Sequence, residues 1–365
     1  MIYGTFNKKI SLALSGGGTR AMAFHAGMLR LLAEKGKLEN ISKISTVSGG
    51  SILVSLIYQK SNGEWPSSKY YLSHVYDEVR NEMCQKSLQS GMMKMLLNPK
   101  NWRFAFSRAN LLSQVLNKKW GVIYKLSDIQ KYPEWSINGT TAETGKRFRF
   151  RNDSIGDYTL GYAHPNDFLL SDAVSVSAAF PGGIGPYSLS TDHFRWLKSE
   201  WGDRLNSNEV SLPYKKIRIY DGGVYDNLGL EPFFDHSKQI PKEDSEIIIC
   251  SDAGAPLQVG FDAFSLSPWR LKRVADIISE QSRSLRVRAF VNYIMKSQNG
   301  FYFGITNPNV KKQHDELSSF SCGYSTSLKK FRTEDFDKIA EHGYIVAKNI
   351  TENANFSGWR GSRAE

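Results

Sequence analysis

Twice within its first 60 residues the chain passes from an apolar, strand-like stretch into a tight turn and then a helix. Lys9 to Leu14 (KISLAL) reads as a buried strand that Gly16-Gly17-Gly18 ends. Arg20 to Lys35 then carries a broad helical apolar face, closed by Gly36. Ile41 to Val47 is a second short strand, and the helix Gly49 to Tyr58 follows it with no loop between. Such alternation predicts an α/β fold with a mostly parallel central sheet. Sheets of this kind collect ligands beyond the carboxyl ends of their strands, so both turns are candidate site positions.

A third strand end lies far away. Lys216 to Tyr220 leads into Asp221-Gly222-Gly223, 173 residues beyond Ser48. Trp135 to Asn138 and Arg147 to Arg151 read as paired strands, and Glu246 to Cys250 as another short one. Residues 62–121 switch to helical patterns and read as an insertion. Its Met92, Met93 and Met95, with Trp102 and Phe104 among cations, are expected to pack on the core, with a lipid-facing cap as the second reading. No repeat or low-complexity linker divides the 365 residues, so residues 1–365 are expected to form a single domain.

Apolar content of 41% and charged content of 23% describe an ordinary globular chain. No run approaches the about 18 consecutive apolar residues of a membrane span. The N-terminus lacks signal-peptide architecture, which points to the cytoplasm. Cys84, Cys250 and Cys322 are scattered, giving neither a disulfide framework nor metal-ligand spacing. No histidine pair has metal spacing either, so no metal is expected. The net charge of +11 favours an anionic partner. No recognised nucleic-acid module is present, so an anionic membrane surface is the better expectation than DNA. The cations of the long helix Trp269 to Lys296 are expected to form a solvated face.

Ser48 stands where a strand turns directly into a helix, a setting that exposes a nucleophile to the helix dipole. Gly49 and Gly50 let backbone and substrate approach closely. The usual G-x-S-x-G elbow has glycine two residues before the serine; here that residue is Thr46. The same position would also suit a plain helix N-cap. Gly16-Gly17-Gly18 could aim amides at an oxyanion. Alternatively, Gly16-x-Gly18-x-x-Ala21 satisfies a dinucleotide-binding pattern, but the second strand ends without the acidic residue that reading requires. Arg20 is expected to pair with a carboxylate, with anchoring an anionic headgroup or orienting the loop as its other readings. Asp221 could simply hold its own turn; as a base it would need burial to raise its proton affinity. None of the seven histidines has a catalytic-loop context.

Jointly, Gly16-Gly17-Gly18-Thr19-Arg20, Thr46-Val47-Ser48-Gly49-Gly50 and Asp221-Gly222-Gly223 resemble the patatin-like phospholipases. That family combines a G-G-G-x-R oxyanion loop, a serine elbow and a distant D-G-G/A aspartate. Asp172 to Pro181 is similar to its helix before a Pro-Gly turn, and the resemblance extends over about residues 8–350. It implies a three-layer α/β/α fold and a Ser48–Asp221 dyad without histidine. Gly16, Gly17 and Gly18 would form the oxyanion hole, supported by Thr19, Arg20, Gly49, Gly50, Gly222 and Gly223, with no cofactor. The implied substrates are phospholipid or lysophospholipid esters in membranes, reached from the cytoplasmic inner face. Bacterial members of this size include antiviral effectors gated by a cyclic nucleotide, so such an activator and homo-oligomerisation are expected partners. The rival readings are acyl transfer by the same dyad and a non-catalytic nucleotide- or membrane-binding module.

Overall fold

A computed structural model describes residues 8–353 apart from 106, 200–206, 244–245, 258, 262–263, 265–266 and 268. Among these residues twelve strands form one sheet. In chain order they begin with β1 (Lys9–Leu14), β2 (Ile41–Thr46), β3 (Glu134–Thr141), β4 (Arg147–Phe150), β5 (Ile155–Asp157) and β6 (Gly161–Ala163). They continue with β7 (Tyr187–Ser190), β8 (Trp196–Ser199), β9 (Ser207–Glu209), β10 (Lys216–Asp221), β11 (Glu246–Asp252) and β12 (Gly300–Gly304). The row β12–β11–β1–β2–β3 is parallel throughout, and antiparallel strands extend it beyond β3. The first two strand–helix units therefore set the sheet that their alternation predicts.

The main helices are α1 (Gly18–Glu34), α2 (Gly49–Lys60), α3 (Tyr76–Gln85), α4 (Leu88–Met95), α5 (Ala109–Trp120), α6 (Leu170–Ser177), α7 (Trp269–Ser297) and α8 (Thr333–Asn353), with a nine-residue helix Asp315–Gly323 before α8 and shorter helical turns elsewhere. Side chains that alternate along β1 and β11 enter different cores, because successive strand residues face opposite sides. Leu12, Leu14, Ile247 and Ile249 belong to the larger core with α1, α2 and α8. Ala13, Ile248 and Cys250 pack with Phe290 and Tyr293 of α7 on the other side. Helices thus cover both faces of the sheet, the three-layer α/β/α arrangement. Both-sided cover is why β1 is apolar without polar alternation.

α1 is buried along nearly its whole length. It touches α8 backbone to backbone: a Cβ on Gly27 would lie 1.7 Å from the Ala340 carbonyl oxygen, and one on Gly343 would lie 2.0 Å from that of Phe24. In the 62–121 region, Val79, Met83, Leu88, Met92, Leu112 and Leu116 join the main core, so this helical segment packs on the body as expected.

The sheet brings distant motifs together at β3. Thr46 at the end of β2 pairs with Ile137, and Asp221 at the end of antiparallel β10 pairs with Gly139. β4 occupies the opposite edge of β3 over Ile137–Thr140. β2 and β10 therefore share one edge of β3, running toward each other with their carboxyl ends adjacent.

Candidate active site

Ser48 follows β2 at a backbone φ of 49° and ψ of −115°, a conformation few side-chain-bearing residues adopt. Holding a residue there costs on the order of 1–3 kcal/mol, which its surroundings must offset. Its hydroxyl makes no helix-capping bond, so the N-cap role is not what this position provides. The hydroxyl instead stands near enough to the Asp221 carboxylate to hold down that group's proton affinity. The Ser48 amide donates to the Ser177 hydroxyl at 3.0 Å. Behind it runs a buried chain: Ser177 to Ser51 (2.8 Å), Ser51 to Thr46 (2.8 Å), and the Trp135 indole N–H donating to Thr46 Oγ1 at 2.9 Å. Thr46, fully buried, thus uses the hydroxyl that a glycine would lack.

Gly49 permits the approach of the two motifs. A Cβ there would sit 2.2 Å from the Gly18 carbonyl oxygen. In the glycine loop, Gly17 and Gly18 take φ values of 140° and 61°, closed to most L side chains. The Gly16 amide donates to the Asn227 carbonyl at 3.1 Å, and the Thr19 amide to that of Ser327 at 2.9 Å. Between them, the amides of Gly17 and Gly18 have no partner among the described residues, and neither has that of Gly49. Gly16 is therefore an anchor of the loop, with its N–H already committed; this revises the three-glycine oxyanion expectation.

The loop is held from beneath. The fully buried His25 contacts the Ser15 carbonyl through Nε2 (3.0 Å) and the Ser251 hydroxyl through Nδ1 (2.8 Å). Burial pushes its pKa down to about 4, so the ring is neutral at physiological pH. Nε2–H then donates to the carbonyl, and Nδ1 accepts from Ser251. The Ser15 hydroxyl accepts the Ala253 amide at 2.9 Å. Arg20 corrects an expectation: its buried guanidinium pairs with no carboxylate among the described residues. Nε and Nη2 donate to the Ala253 carbonyl (3.2 and 3.0 Å) and Nη1 to that of Tyr324 (2.7 Å). Backbone carbonyls thus fix the helix that follows the loop.

Asp221, 4% exposed, ends β10. Burial pushes its pKa up to about 7, partly opposed by the Gly223 amide, which donates to Oδ1 at 2.7 Å, and by the Ser48 hydroxyl. The Asx-type turn and the contact with serine therefore coexist. Its backbone is pinned too: the amide donates to Ala179 O at 3.0 Å, and its carbonyl accepts the Thr140 hydroxyl at 2.9 Å. Asn227 joins the two halves. Besides its carbonyl on Gly16, its Oδ1 would lie 2.4 Å from a Cβ on Gly16 and 2.7 Å from one on Gly223.

The family model described as patatin-like phospholipase matches residues 12–234, more than half of the chain and a span that holds Ser48, Asp221 and the glycine loop. The chain belongs to the patatin-like phospholipase family. Its fold is similar to that of human GIVD cytosolic phospholipase A2, with a TM-score of 0.56 and 12% identity, covering 96% of this chain and 60% of the human one. The same human enzyme in complex with methyl gamma-linolenyl fluorophosphonate gives a TM-score of 0.52 and 14% identity, covering 96% and 59%. This chain therefore spans about three fifths of the length of that solved enzyme. No curated protein matches the sequence.

Two supporting residues escaped sequence reasoning, and a third, Asn227, is expected from the sequence, with Asp226, only to shape the Asp221 loop. Ser177 lies 129 positions from the amide it accepts. Asn138 donates to Ser45 Oγ and Thr46 O, both at 2.9 Å, steadying the strand below the elbow. Asn227 stands near the D-G-G turn, but only the fold places it against Gly16. A polar residue inside an otherwise apolar strand or helix is the one signal the sequence offers for the first two.

Proposed function

We propose that the chain is a serine lipid acyl hydrolase cleaving phospholipid or lysophospholipid esters with a Ser48–Asp221 dyad. One observation carries this reading: a backbone-strained serine lies beside a buried carboxylate whose pKa is raised to about 7 and is acted on by the serine hydroxyl. An ordinary carboxylate is too weak a base for an alcohol at neutral pH, and a base titrating near the working pH is the effective one.

Asp221 takes the Ser48 proton as Oγ attacks the ester carbonyl. The amides of Gly17 and Gly18, joined by that of Gly49, receive the developing oxyanion, each donor contributing on the order of 2.7–4 kcal/mol in comparable sites. Asp221 returns the proton to the departing alcohol, leaving acyl-Ser48. It then deprotonates a water, which attacks the acyl carbonyl, and the proton passes back to Ser48 as the fatty acid leaves.

Release of acid from a soluble short-chain ester and from phospholipid vesicles tests the reading. Ser48→Ala and Asp221→Asn are each expected to lower kcat by on the order of 10³-fold or more. Unchanged activity in both would exclude the dyad. Protonated Asp221 cannot accept the serine proton, so kcat/KM of the parent should rise as pH increases toward about 7 and then level. A flat profile from pH 5 to 8 would contradict this role. The membrane-degrading effector reading, acting at the inner face of the membrane, predicts stimulation by a cyclic nucleotide. Full activity without any nucleotide rules that gating out.

A further inference from the structure

α7 is anchored along one side and bare along another. Of its described residues only Phe290 and Tyr293 are buried. Arg283 reaches Asp252 and Arg286 reaches Glu231, 3.0 Å away. At 3.6 residues per turn these four positions fall on one face of the helix, the face toward the body. Leu271, Val274, Ile278 and Leu285, spaced at three, four and seven, line a different face, about 110° round the helix. They are 77, 52, 64 and 61% exposed. The helix therefore turns an aliphatic stripe to solvent, where a solvated charged face was expected. Arg270 and Arg288, both exposed, lie together along the flank of that stripe.

Charge selects the cover. A partner with an apolar interior and an anionic surface satisfies both the stripe and the flanking arginines, whose stems can lie along acyl chains while their heads meet phosphates. The chain as a whole carries +11. A self-associating seam suits the pattern less, because the next heptad positions are Gln281 and Arg288. No described helix is long and apolar enough to cross a membrane, so the element would lie in the interface plane.

The body-facing side of the same helix is tied to the loop behind the catalytic machinery. Asp252, which receives Arg283, holds the Gly254 amide at 2.8 Å, and Ala253 between them carries the carbonyl that fixes Arg20. A second exposed apolar patch, Met93, Leu97 and Trp102, belongs to the segment whose Gln89 amide donates to Leu328 O. The preceding carbonyl, Ser327 O, accepts the Thr19 amide of the glycine loop.

We propose that α7 docks this chain on anionic phospholipid leaflets, seating the Leu271–Val274–Ile278–Leu285 stripe among the acyl chains. The lipid as substrate rests on the acyl hydrolase reading; the docking itself is measurable without catalysis. The full chain carrying Ser48→Ala leaves vesicles intact and is sedimented with phosphatidylcholine vesicles, with or without phosphatidylglycerol. It should bind the vesicles containing phosphatidylglycerol and bind less at raised salt. Adding Leu271→Gln, Val274→Ser and Ile278→Gln should lower partitioning at least about tenfold. Thermal melting should be unchanged, since these side chains are exposed. With Ser48 restored, vesicle hydrolysis should fall while soluble-ester hydrolysis stays unchanged.

Equal partitioning of the triple variant and its parent overturns the proposal. So does a lipid-free dimer that the triple variant converts to monomer, which would make a second copy the cover. Vesicle binding without any ester hydrolysis would instead break the proposed function and leave docking standing.

Discussion

Asp221 owes its chemistry to its address. The same carboxylate in water would be fully ionised and a poor base at neutral pH; at 4% exposure its proton affinity is raised to what the proposed base role requires. Thr46 shows a second kind of dependence. Its hydroxyl links the Trp135 indole to Ser51, Ser177 and the Ser48 amide, so Thr46→Val keeps the shape and deletes the link. Leaving the buried indole N–H unsatisfied should cost about 1–3 kcal/mol in urea unfolding, and kcat should fall more than KM rises. The strand-to-helix turns that hold Ser48, Asp221 and the glycine loop were legible in the sequence because each is announced by its own backbone neighbours. The Ser177 partnership was not, because it exists only once α6 lies against the start of α2. Arg20 was misread for a related reason: sequence marks a buried cation but not whether carboxylates or carbonyls surround it.

At the scale of elements, the contact of α1 with α8 has the closest glycine approaches among the described residues. Gly27→Ala would push a methyl into the Ala340 carbonyl, and helix backbones relax poorly against a packed sheet. It should destabilise by about 3 kcal/mol or more, read as a fall in Tm or in soluble yield. The same change at Gly36, where nothing lies within 4 Å, meets no clash, although the φ of 61° there disfavours alanine on its own. The helix periodicities of α1, α2 and α8 were readable because each buries the apolar face it displays. α7 was not, because its apolar positions are divided between a docked end and an exposed stripe. A pattern records which residues are apolar; it does not record which of them the rest of the chain covers.

For the molecule as a whole, buried titrating groups tilt stability with pH in opposite senses. Asp221 has a folded pKa near 7 against an ordinary 3.8, so the folded state holds more protons between those values. Stability from this group therefore declines as pH rises from about 4 to 7 and is level above. His25 and His342 have folded pKa values of about 4 against 6.5, so there the unfolded chain holds more protons and stability declines as pH falls from 6.5 toward 4. Asp221→Asn should consequently be more stable than the parent above pH 7, by roughly 2–4 kcal/mol, with the gap closing toward pH 4. Melting curves across pH 4–8 check this; a gap independent of pH would contradict the assignment. The strand order β12–β11–β1–β2–β3 needed the structure, since sequence alternation specifies parallel neighbours but not which strand flanks which. The meeting of β2 and β10 along β3 has a consequence for how such a chain can vary. Thr46, two residues before the serine, and Asp221, the aspartate of the proposed dyad, are separated by a register, two residues of one strand, at about 3.3 Å of rise each. β3 works as a ruler. Long connections before and after it can grow, shrink or be exchanged without changing the spacing of the dyad, whereas a single residue inserted between Ile137 and Gly139 would pull the nucleophile and its base apart.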